Sequence, residues 1–140
     1  MEERRRILLA AGKKAVYIFK NGDSALRIGA PHTPYGKIVF QNGCIQIGGG
    51  SSISNNYLIN IDFTDFSKLH FVVSTGSYGS SNYLAHHANY SDAYSKWSIK
   101  KTIGKNAGKA EYVFDISSYS GIRHLCIYTA NMTVYDIWLD

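Results

Sequence analysis

Asp115-Ile-Ser-Ser-Tyr-Ser-Gly121 is the stretch of this sequence that decides its fold. It leads into a strand-forming run at residues 122–129, and the tight polar turn Ala130-Asn131 separates that run from a second one at residues 132–140. Strands need neighbours to satisfy their backbone N–H and C=O groups, and unpaired edges promote aggregation. We therefore expect a sheet protein whose last strand, apolar on both faces, lies in a central position.

Short strand-forming runs separated by turn residues continue through the rest of the chain. Residues 37–41 and 44–47 flank Asn42-Gly43, which is a strong hairpin signal. In residues 68–74, Leu69, Phe71 and Val73 are predicted to face the core because they alternate with other residues. Further predicted strands are residues 15–20, 25–28, 57–63, 97–103 and 110–116, and Pro31 and Pro34 predict a break between the second and third runs.

Eight to ten short strands at regular spacing are typical of a two-layer β-sheet protein. No alternation of helix and strand patterns supports an α/β fold. We predict an all-β domain at residues 15–140, an antiparallel β-sandwich of jelly-roll type. The period of two also predicts two shared strand faces: Tyr57, Ile59, Ile61 and Phe63 on one, and Tyr135, Ile137 and Leu139 on another.

The N-terminal residues 1–14 are predicted to be separate from the sandwich. Residues 2–11 are the one helix candidate, and Gly12 is a suitable stop for it. A helix of about ten residues is marginal alone. We expect it to dock through apolar residues such as Ile7 and Leu8, or to act as a connector.

Composition bounds the class of protein. Of 140 residues, 45% are hydrophobic and 18% charged, which does not fit a disordered segment. No apolar run approaches the roughly 18 residues of a membrane span, and the acidic start Glu2-Glu3 does not fit a signal peptide. The net charge of +5 comes from clustered basic residues, including Lys100 and Lys101. We interpret them as solvated edges and turns, with nucleic-acid binding as an unfavoured alternative.

Residues that carry metal or thiol chemistry are few. Cys44 and Cys126 lie in separate apolar runs without Cys-x-x-Cys spacing, so buried free thiols are expected and a disulfide between them stays open. His86 and His87, close to Asp92, are the nearest approach to a metal or acid–base cluster. Neighbouring residues on a strand point to opposite faces, which argues against joint chelation. We predict no metal and no cofactor.

Catalysis is the weakest reading of the sequence. Glycoside hydrolysis needs two opposed carboxyl groups, for which Asp62, Asp92 and Asp136 are the candidates. Roles in turns or on solvated edges fit these residues better. The sequence also contains no nucleophile elbow and no phosphate-binding loop, so we predict no catalytic residue.

The most distinctive polar stretch, residues 74–95, is rich in tyrosine and histidine. Such long stretches in compact domains are usually functional, although a short strand near residues 83–87 fits within it. Tyrosine and tryptophan combine a broad apolar face with a polar tip, which suits the apolar faces and hydroxyl rims of sugars. The predicted ligand-binding residues are Tyr78, Tyr83, Tyr90, Tyr94 and Trp97 as stacking surfaces, with His86, Asn89 and Asp92 as hydrogen-bonding partners.

Three segments resemble a β-sandwich module of tail and minor structural proteins from phages and prophages of Gram-positive gut bacteria. Ile61-Asp-Phe-Thr-Asp-Phe-Ser-Lys-Leu69 is similar to the family's entry into a central strand, and Phe114-Asp-Ile-Ser-Ser-Tyr-Ser-Gly121 to its following turn. Thr133-Val-Tyr-Asp-Ile-Trp-Leu139 is similar to its closing strand. These segments are turns and core strands, so the resemblance implies architecture and a virion context. The Tyr-rich insertion with His86-His87 has no counterpart in the family pattern.

From residues and resemblance together we expect a non-enzymatic, tail-associated module that binds a cell-surface glycan. Its setting is then the virion or the extracellular space, reached without a signal peptide, after assembly in the cytoplasm. The alternative is a purely structural domain that oligomerises or decorates a tail protein, with other tail proteins or its own copies as partners. A glycan-degrading enzyme is the third hypothesis. No membrane partner is expected.

Overall fold

Two antiparallel β-sheets pack face to face in the protein. The structure is a computed structural model that describes residues 15–34 and 36–140. The predicted helix at residues 2–11, and with it the whole N-terminal unit 1–14, lies outside the described residues. The described part contains eleven strands, against the eight to ten predicted.

Sheet I contains six strands and sheet II contains five. In sheet I the order is β3 (Ile38–Gln41), β4 (Cys44–Ile47), β11 (Met132–Leu139), β6 (Lys68–Thr75) and β9 (Ala110–Asp115), and β1 (Val16–Phe19) also pairs with β11. In sheet II the order is β2 (Ala30–His32), β5 (Ser54–Asp62), β10 (Ile122–Thr129), β7 (Asn82–His87) and β8 (Lys100–Ile103).

The connections between strands run mostly from one sheet to the other. From β4 to β11 the chain changes sheet at every connection except the one between β7 and β8. All pairs are antiparallel, and β11 is flanked by β6 on one side and by β4 and β1 on the other. The predicted two-layer antiparallel sandwich and the central position of the last strand are therefore confirmed.

Three strand predictions differ from the structure. Residues 25–28 form bends rather than a strand, whereas Ala30–His32 forms β2 despite Pro31. Proline lacks a backbone N–H and is tolerated where that group faces solvent, and β2 is the edge strand of sheet II. The predicted strand 97–103 is shortened to Lys100–Ile103.

Two register shifts overturn the predicted strand faces. The pairing of β5 with β10 shifts between Arg123 and Leu125, next to Asn60, whose φ is +64°. The pairing of β11 with β6 shifts between Val134 and Asp136. An extra residue in one strand reverses the alternation beyond it. Inward residues are therefore Leu58 and Ile61 in β5, Phe63 directly after it, and Val134, Ile137 and Leu139 in β11.

The turns that carry the sequence resemblance meet at one end of the sandwich. Phe63 N–H donates to the carbonyl of Gly121 at 2.9 Å, and Gly121 N–H donates to Thr64 Oγ1 at 2.9 Å. Lys68 N–H donates to the carbonyl of Asp140, and Gly121 has the positive φ expected of it. The quoted motifs thus lie at connections between the sheets, and their rings Phe63, Phe114 and Tyr119 contact His86 of the polar stretch 74–95.

The main core fills the space between the sheets with aliphatic and aromatic side chains. Leu69, Phe71 and Val73 are all fully buried, as predicted. Asn42 and Gly43 both have positive φ and close the β3–β4 hairpin, also as predicted. This packed interior leaves the two outward faces of the sandwich as its largest regular surfaces.

Candidate functional site: the outer faces of the sandwich

Outer face I is the side of sheet I that points away from the core. Successive side chains of a strand point to opposite sides of the sheet. In β6 the core takes Leu69, Phe71 and Val73, so the residues between them point outward and form this face together with their partners on neighbouring strands. Its members are Tyr17, Gln46, His70, Val72, Ser74, Glu111, Val113, Thr133, Tyr135, Asp136 and Trp138.

Three rings form a row across three adjacent strands of this face. Tyr17 on β1 is paired with Trp138 on β11, and Trp138 is paired with His70 on β6. The ring centroids of Tyr17 and Trp138 are 5.7 Å apart, and those of Trp138 and His70 are 4.3 Å apart with an interplanar angle of 4°. Tyr17 and Trp138 are half-buried, whereas the His70 side chain is only 11% exposed. The row supplies an apolar strip about 10 Å long, given a strand spacing of about 4.8 Å.

Charged and polar groups surround the ring row. His70 Nδ1 is 3.0 Å from Glu111 Oε1, and His70 Nε2 is 3.6 Å from Asp140 Oδ2. Glu111 is exposed, so its carboxylate remains accessible to water or to a ligand. Asp136 Oδ1 accepts a hydrogen bond from Asn21 N–H at 3.0 Å. Carboxylate acceptors therefore lie beside the rings.

A fourth ring, Tyr135, lies further along the same face. Tyr135 OH is 3.0 Å from Ser74 Oγ, and the Nζ atom of Lys109 is 4.5 Å from the Tyr135 ring centroid. Lys20 is placed in the same way, with Nζ 5.2 Å from the Tyr17 ring centroid. The face thus combines aromatic surface with positioned cations.

Sequence reasoning missed this face because its residues are far apart in the chain. Tyr17 and Trp138 are separated by almost the whole sequence and meet only through the pairing of β1 with β11. Trp138 was placed on a strand without a role at the surface. A usable signal existed, since large rings that alternate with core residues on a predicted one-sided strand point to water.

Outer face II, on sheet II, differs because another part of the chain covers it. Its outward residues include Tyr57, Ala85, Cys126 and Tyr128. Residues 88–99 cross them, and Trp97 from this segment packs on Tyr57 with ring centroids 5.9 Å apart. Trp97 is only 1% exposed, so the expectation that it offers a free stacking surface is contradicted.

Asp92 fastens the covering segment to the sheet. Its carboxylate Oδ2 is 2.9 Å from His87 Nε2, and its backbone carbonyl accepts hydrogen bonds from Tyr57 OH at 2.9 Å and Trp97 Nε1 at 3.2 Å. Asn89 Nδ2 donates to the other carboxylate oxygen at 3.4 Å. Burial is the main reason why the pKa of Tyr57 is raised to about 12. These contacts give Asp92 and Asn89 a structural role in holding the segment.

Three tyrosines remain half-exposed at one corner of this face. Tyr94, in the 3-10 turn Tyr94–Lys96, stacks on Tyr128 with centroids 4.0 Å apart, and Tyr83 stacks on both. The Nζ atom of Lys100 is 4.7 Å from the Tyr83 centroid. Burial raises the pKa of Tyr128, and the nearby Tyr94 hydroxyl adds to the effect. The rings are largely engaged with one another, which limits the free ring surface.

The other predicted site residues are scattered. Tyr90 is 37% exposed and contacts His32 and His124 edge-on, each with centroids 5.0 Å apart. Tyr78 is 51% exposed in the loop after β6. The structure brings together Tyr83 with Tyr94, and Asn89 with Asp92, but it does not join all of the predicted residues into one site.

His86 lies on the opposite side of sheet II from its neighbour His87, as strand geometry predicted. It is fully buried, and its Nδ1 accepts a hydrogen bond from Arg123 Nε at 2.8 Å. Desolvation is the first cause that lowers the pKa of His86, to about 4, and the Arg123 charge adds to it. Its burial contradicts the expected contact with a ligand.

The carboxylates considered for catalysis lie on different parts of the fold. Asp62, in β5 of sheet II, accepts a hydrogen bond from Thr64 N–H through Oδ1. Asp136 is in β11 of sheet I, and Asp92 lies in the segment that covers sheet II. Over residues 15–34 and 36–140, no group of three or more His, Cys, Asp or Glu residues is placed to hold a metal ion. Cys44 and Cys126 are both free thiols, which resolves the open question of a disulfide. No helix in this part of the chain could span a membrane.

Comparison with solved structures identifies similar folds. A family 29 carbohydrate-binding module from Piromyces equi matches with a TM-score of 0.66 and 9% identity, over 90% of this chain and 89% of that chain. A CBM29-2 mutant complexed with cellulohexaose matches at 0.64 and 12%, over 90% and 89%, and another complexed with mannohexaose at 0.63 and 10%, over 90% of each. No protein-family model and no curated protein matches this chain. At such low identity the likeness establishes the fold alone.

Proposed function

We propose that this chain is a non-catalytic carbohydrate-binding module that binds a glycan across outer face I. The observation that carries the proposal is the ring row, in which Tyr17 and Trp138 are partly exposed and Trp138 is backed by the mostly buried His70. The shared fold with modules whose structures contain cellulohexaose and mannohexaose supports it. A fold does not fix a function, so the residues of the face carry the argument.

The chemistry of the face suits sugars. The ring row offers an apolar strip for the C–H faces of a sugar, and such rings lose little side-chain freedom on binding. Glu111, Asp136 and Lys109 provide acceptors and donors for hydroxyl groups at its border. Charge-assisted hydrogen bonds of this type fix the orientation of a polar ligand. Cations and carboxylates are interspersed, which favours a neutral glycan at this face.

Outer face I fits this role better than outer face II. On face II, residues 88–99 leave Tyr57 only 2% and Trp97 only 1% exposed. A ligand at these rings would have to displace that segment. On face I, within the described part of the chain, Tyr17 and Trp138 are partly exposed, although Trp138 stacks on His70.

The test is calorimetry with cellulohexaose and mannohexaose, preceded by a glycan array. We expect Trp138→Ala to weaken binding at least tenfold, about 1.4 kcal/mol, and Trp138→Phe to recover part of the loss. Glu111→Gln, at an exposed position, is expected to weaken binding several-fold with an unchanged melting temperature.

Tyr94→Ala is the matched control on outer face II, and we expect its affinity to stay within about twofold of the wild type. Loss of binding in Tyr94→Ala with retention in Trp138→Ala would transfer the site to the stretch predicted from sequence. No binding to any glycan of the array by the wild-type chain would contradict the function itself.

The tail-associated setting is a second part of the proposal and rests on the sequence motifs. The turns of these motifs meet at one end of the sandwich. In this setting the chain acts on a virion or outside the cell, beside other tail proteins or copies of itself. The structural alternative, an oligomerisation domain, is favoured by Val39, which is 46% exposed on edge strand β3. Light scattering distinguishes the two, because an oligomer that buries outer face I and binds no glycan supports the alternative.

A further inference from the structure

A basic strip follows one side edge of the sandwich. Between Asp92 and Glu111 the chain contains no acidic residue and five lysines: Lys96, Lys100, Lys101, Lys105 and Lys109. This segment forms β8, the edge strand of sheet II, and then leads into β9, the edge strand of sheet I. The strip therefore lies where one sheet passes into the other.

Three of the five ammonium groups are positioned against aromatic rings. Lys100 Nζ lies 4.7 Å from the Tyr83 centroid on outer face II, and Lys101 Nζ lies 5.1 Å from the Phe114 centroid on β9. Lys109 Nζ lies over Tyr135, on outer face I. The positive charges thus continue around the edge from one outer face to the other.

Within residues 15–34 and 36–140, these charges have no carboxylate in an ion pair with them. The flanking acids are already engaged, Asp92 with His87 and Glu111 with His70. Several like charges held along one edge create a local positive potential that attracts polyanions.

We propose that this edge binds an acidic polysaccharide through its carboxylate or sulfate groups, as a site that adjoins the neutral-glycan face at Lys109 and is otherwise distinct from it. An extended strand with charges before, within and after it matches a polymer whose anionic groups repeat along its length. Protection of an exposed strand edge explains lysines within β8. It does not explain Lys96, Lys105 and Lys109, which lie outside the paired strands.

The ring geometry favours a polysaccharide over a nucleic acid. Single-stranded nucleic acids bind by stacking bases on open aromatic faces beside basic residues. The rings next to Lys100 are stacked on one another, with Tyr94 and Tyr128 centroids 4.0 Å apart. The edge offers charge without free stacking surfaces.

Affinity electrophoresis with polygalacturonate, dextran sulfate and poly(dT) tests the proposal. We expect the wild type to be retarded by one or both polysaccharides, and retardation to weaken as salt rises from about 0.01 M to about 0.15 M, where screening shortens the reach of charges. The triple variant Lys96→Gln, Lys100→Gln, Lys105→Gln should bind at least about tenfold more weakly. The control Arg27→Gln, Lys37→Gln, Lys68→Gln removes the same formal charge elsewhere and should bind within about twofold of the wild type.

Three outcomes overturn the inference. If both triple variants lose affinity equally, the polymer is attracted by net charge and not by this edge. If the wild type binds neither polysaccharide, the site does not exist. If poly(dT) binds more tightly than the polysaccharides, the edge is assigned to nucleic acid. Acetylation footprinting of the wild type with dextran sulfate gives a second readout, in which Lys96, Lys100 and Lys105 should be protected and Lys37 should not. Lack of that protection would also contradict the proposal, whatever the folding of the variants. Binding of cellulohexaose is measured separately, so failure of the neutral-glycan proposal remains distinguishable.

Discussion

Each outer face of the sandwich holds one of the chain's two tryptophans, and the two are used differently. Trp97 on outer face II is 1% exposed beneath its own segment, whereas Trp138 on outer face I is half-exposed. Residues 88–99 cover the first and leave the second open. Trp97, next to the polar stretch, is thus packed against the sheet, whereas Trp138, in the regular strand β11, is partly exposed to solvent.

The difference follows from what each sheet places on its outward side. Sheet II points Tyr57, Ala85 and Cys126 outward, and a contiguous apolar patch of this kind is usually covered. Sheet I alternates its core residues with His70, Ser74 and Thr133, which tolerate water. A half-solvated antiparallel sheet is an ordinary arrangement. The tyrosine-rich stretch is therefore explained in large part as packing.

The largest expected effect is a difference in the free energy of unfolding between variants of the two tryptophans. We expect Trp97→Ala to lower the free energy of unfolding by about 3–5 kcal/mol, because it empties a buried site next to Tyr57. Trp138→Ala should cost about 1–2 kcal/mol, since its ring is only half-buried. Urea unfolding followed by circular dichroism measures both. Equal losses in the two variants would mean that the faces do not differ as described.

The sequence predicts the architecture well because strand period and turn chemistry are local. The Asn42-Gly43 hairpin, the inward Leu69, Phe71 and Val73, and the central last strand were all found this way. The residues that share a strand face beyond a bulge could not be predicted in this way. One extra residue at Asn60 or Tyr135 reverses the side of the sheet to which every later side chain points. The ring row was missed because it depends on strand pairing between the two ends of the domain.

A second prediction uses the histidine that points inward from sheet II. The pKa of His86 is lowered to about 4, below an ordinary value of 6.5, so the unfolded chain binds more protons between these values. The contribution of neutral His86 to the free energy of unfolding should be fully present above pH 6.5. The free energy of unfolding should then fall by roughly 3 kcal/mol as pH decreases toward 4. Denaturant midpoints across this range, measured by circular dichroism, show the slope.

His86→Asn is the control for this pH dependence. The asparagine Oδ1 can still accept the hydrogen bond from Arg123, but the side chain does not titrate. We expect a flatter profile with a residual slope from His124, whose pKa burial also lowers. An unchanged slope in His86→Asn would show that other groups cause the acid sensitivity.

A third prediction, of smaller effect, concerns the segment that makes the two faces unequal. Asp92→Ala removes the carboxylate contacts to His87 and Asn89 and should cost about 1–2 kcal/mol. The backbone carbonyl contacts from Tyr57 and Trp97 remain possible, so we expect loosening rather than unfolding. Acrylamide quenching of Trp97 in a Trp138→Phe background should increase. Unchanged quenching would show that the ring packing holds residues 88–99 without the carboxylate.

The smallest effect is expected at Tyr78, the most exposed of the aromatic residues predicted from sequence to bind a ligand. At 51% exposure, its ring covers little of the core, so Tyr78→Ala should change the free energy of unfolding by less than about 0.5 kcal/mol. The glycan affinity of Tyr78→Ala should also stay within about twofold of the wild-type affinity, because Tyr78 lies outside outer face I. Calorimetry with the best array glycan decides the point. A tenfold loss, about 1.4 kcal/mol, in Tyr78→Ala would place a ligand on the loop after β6, and the division between a covered face and a binding face would then no longer describe the molecule.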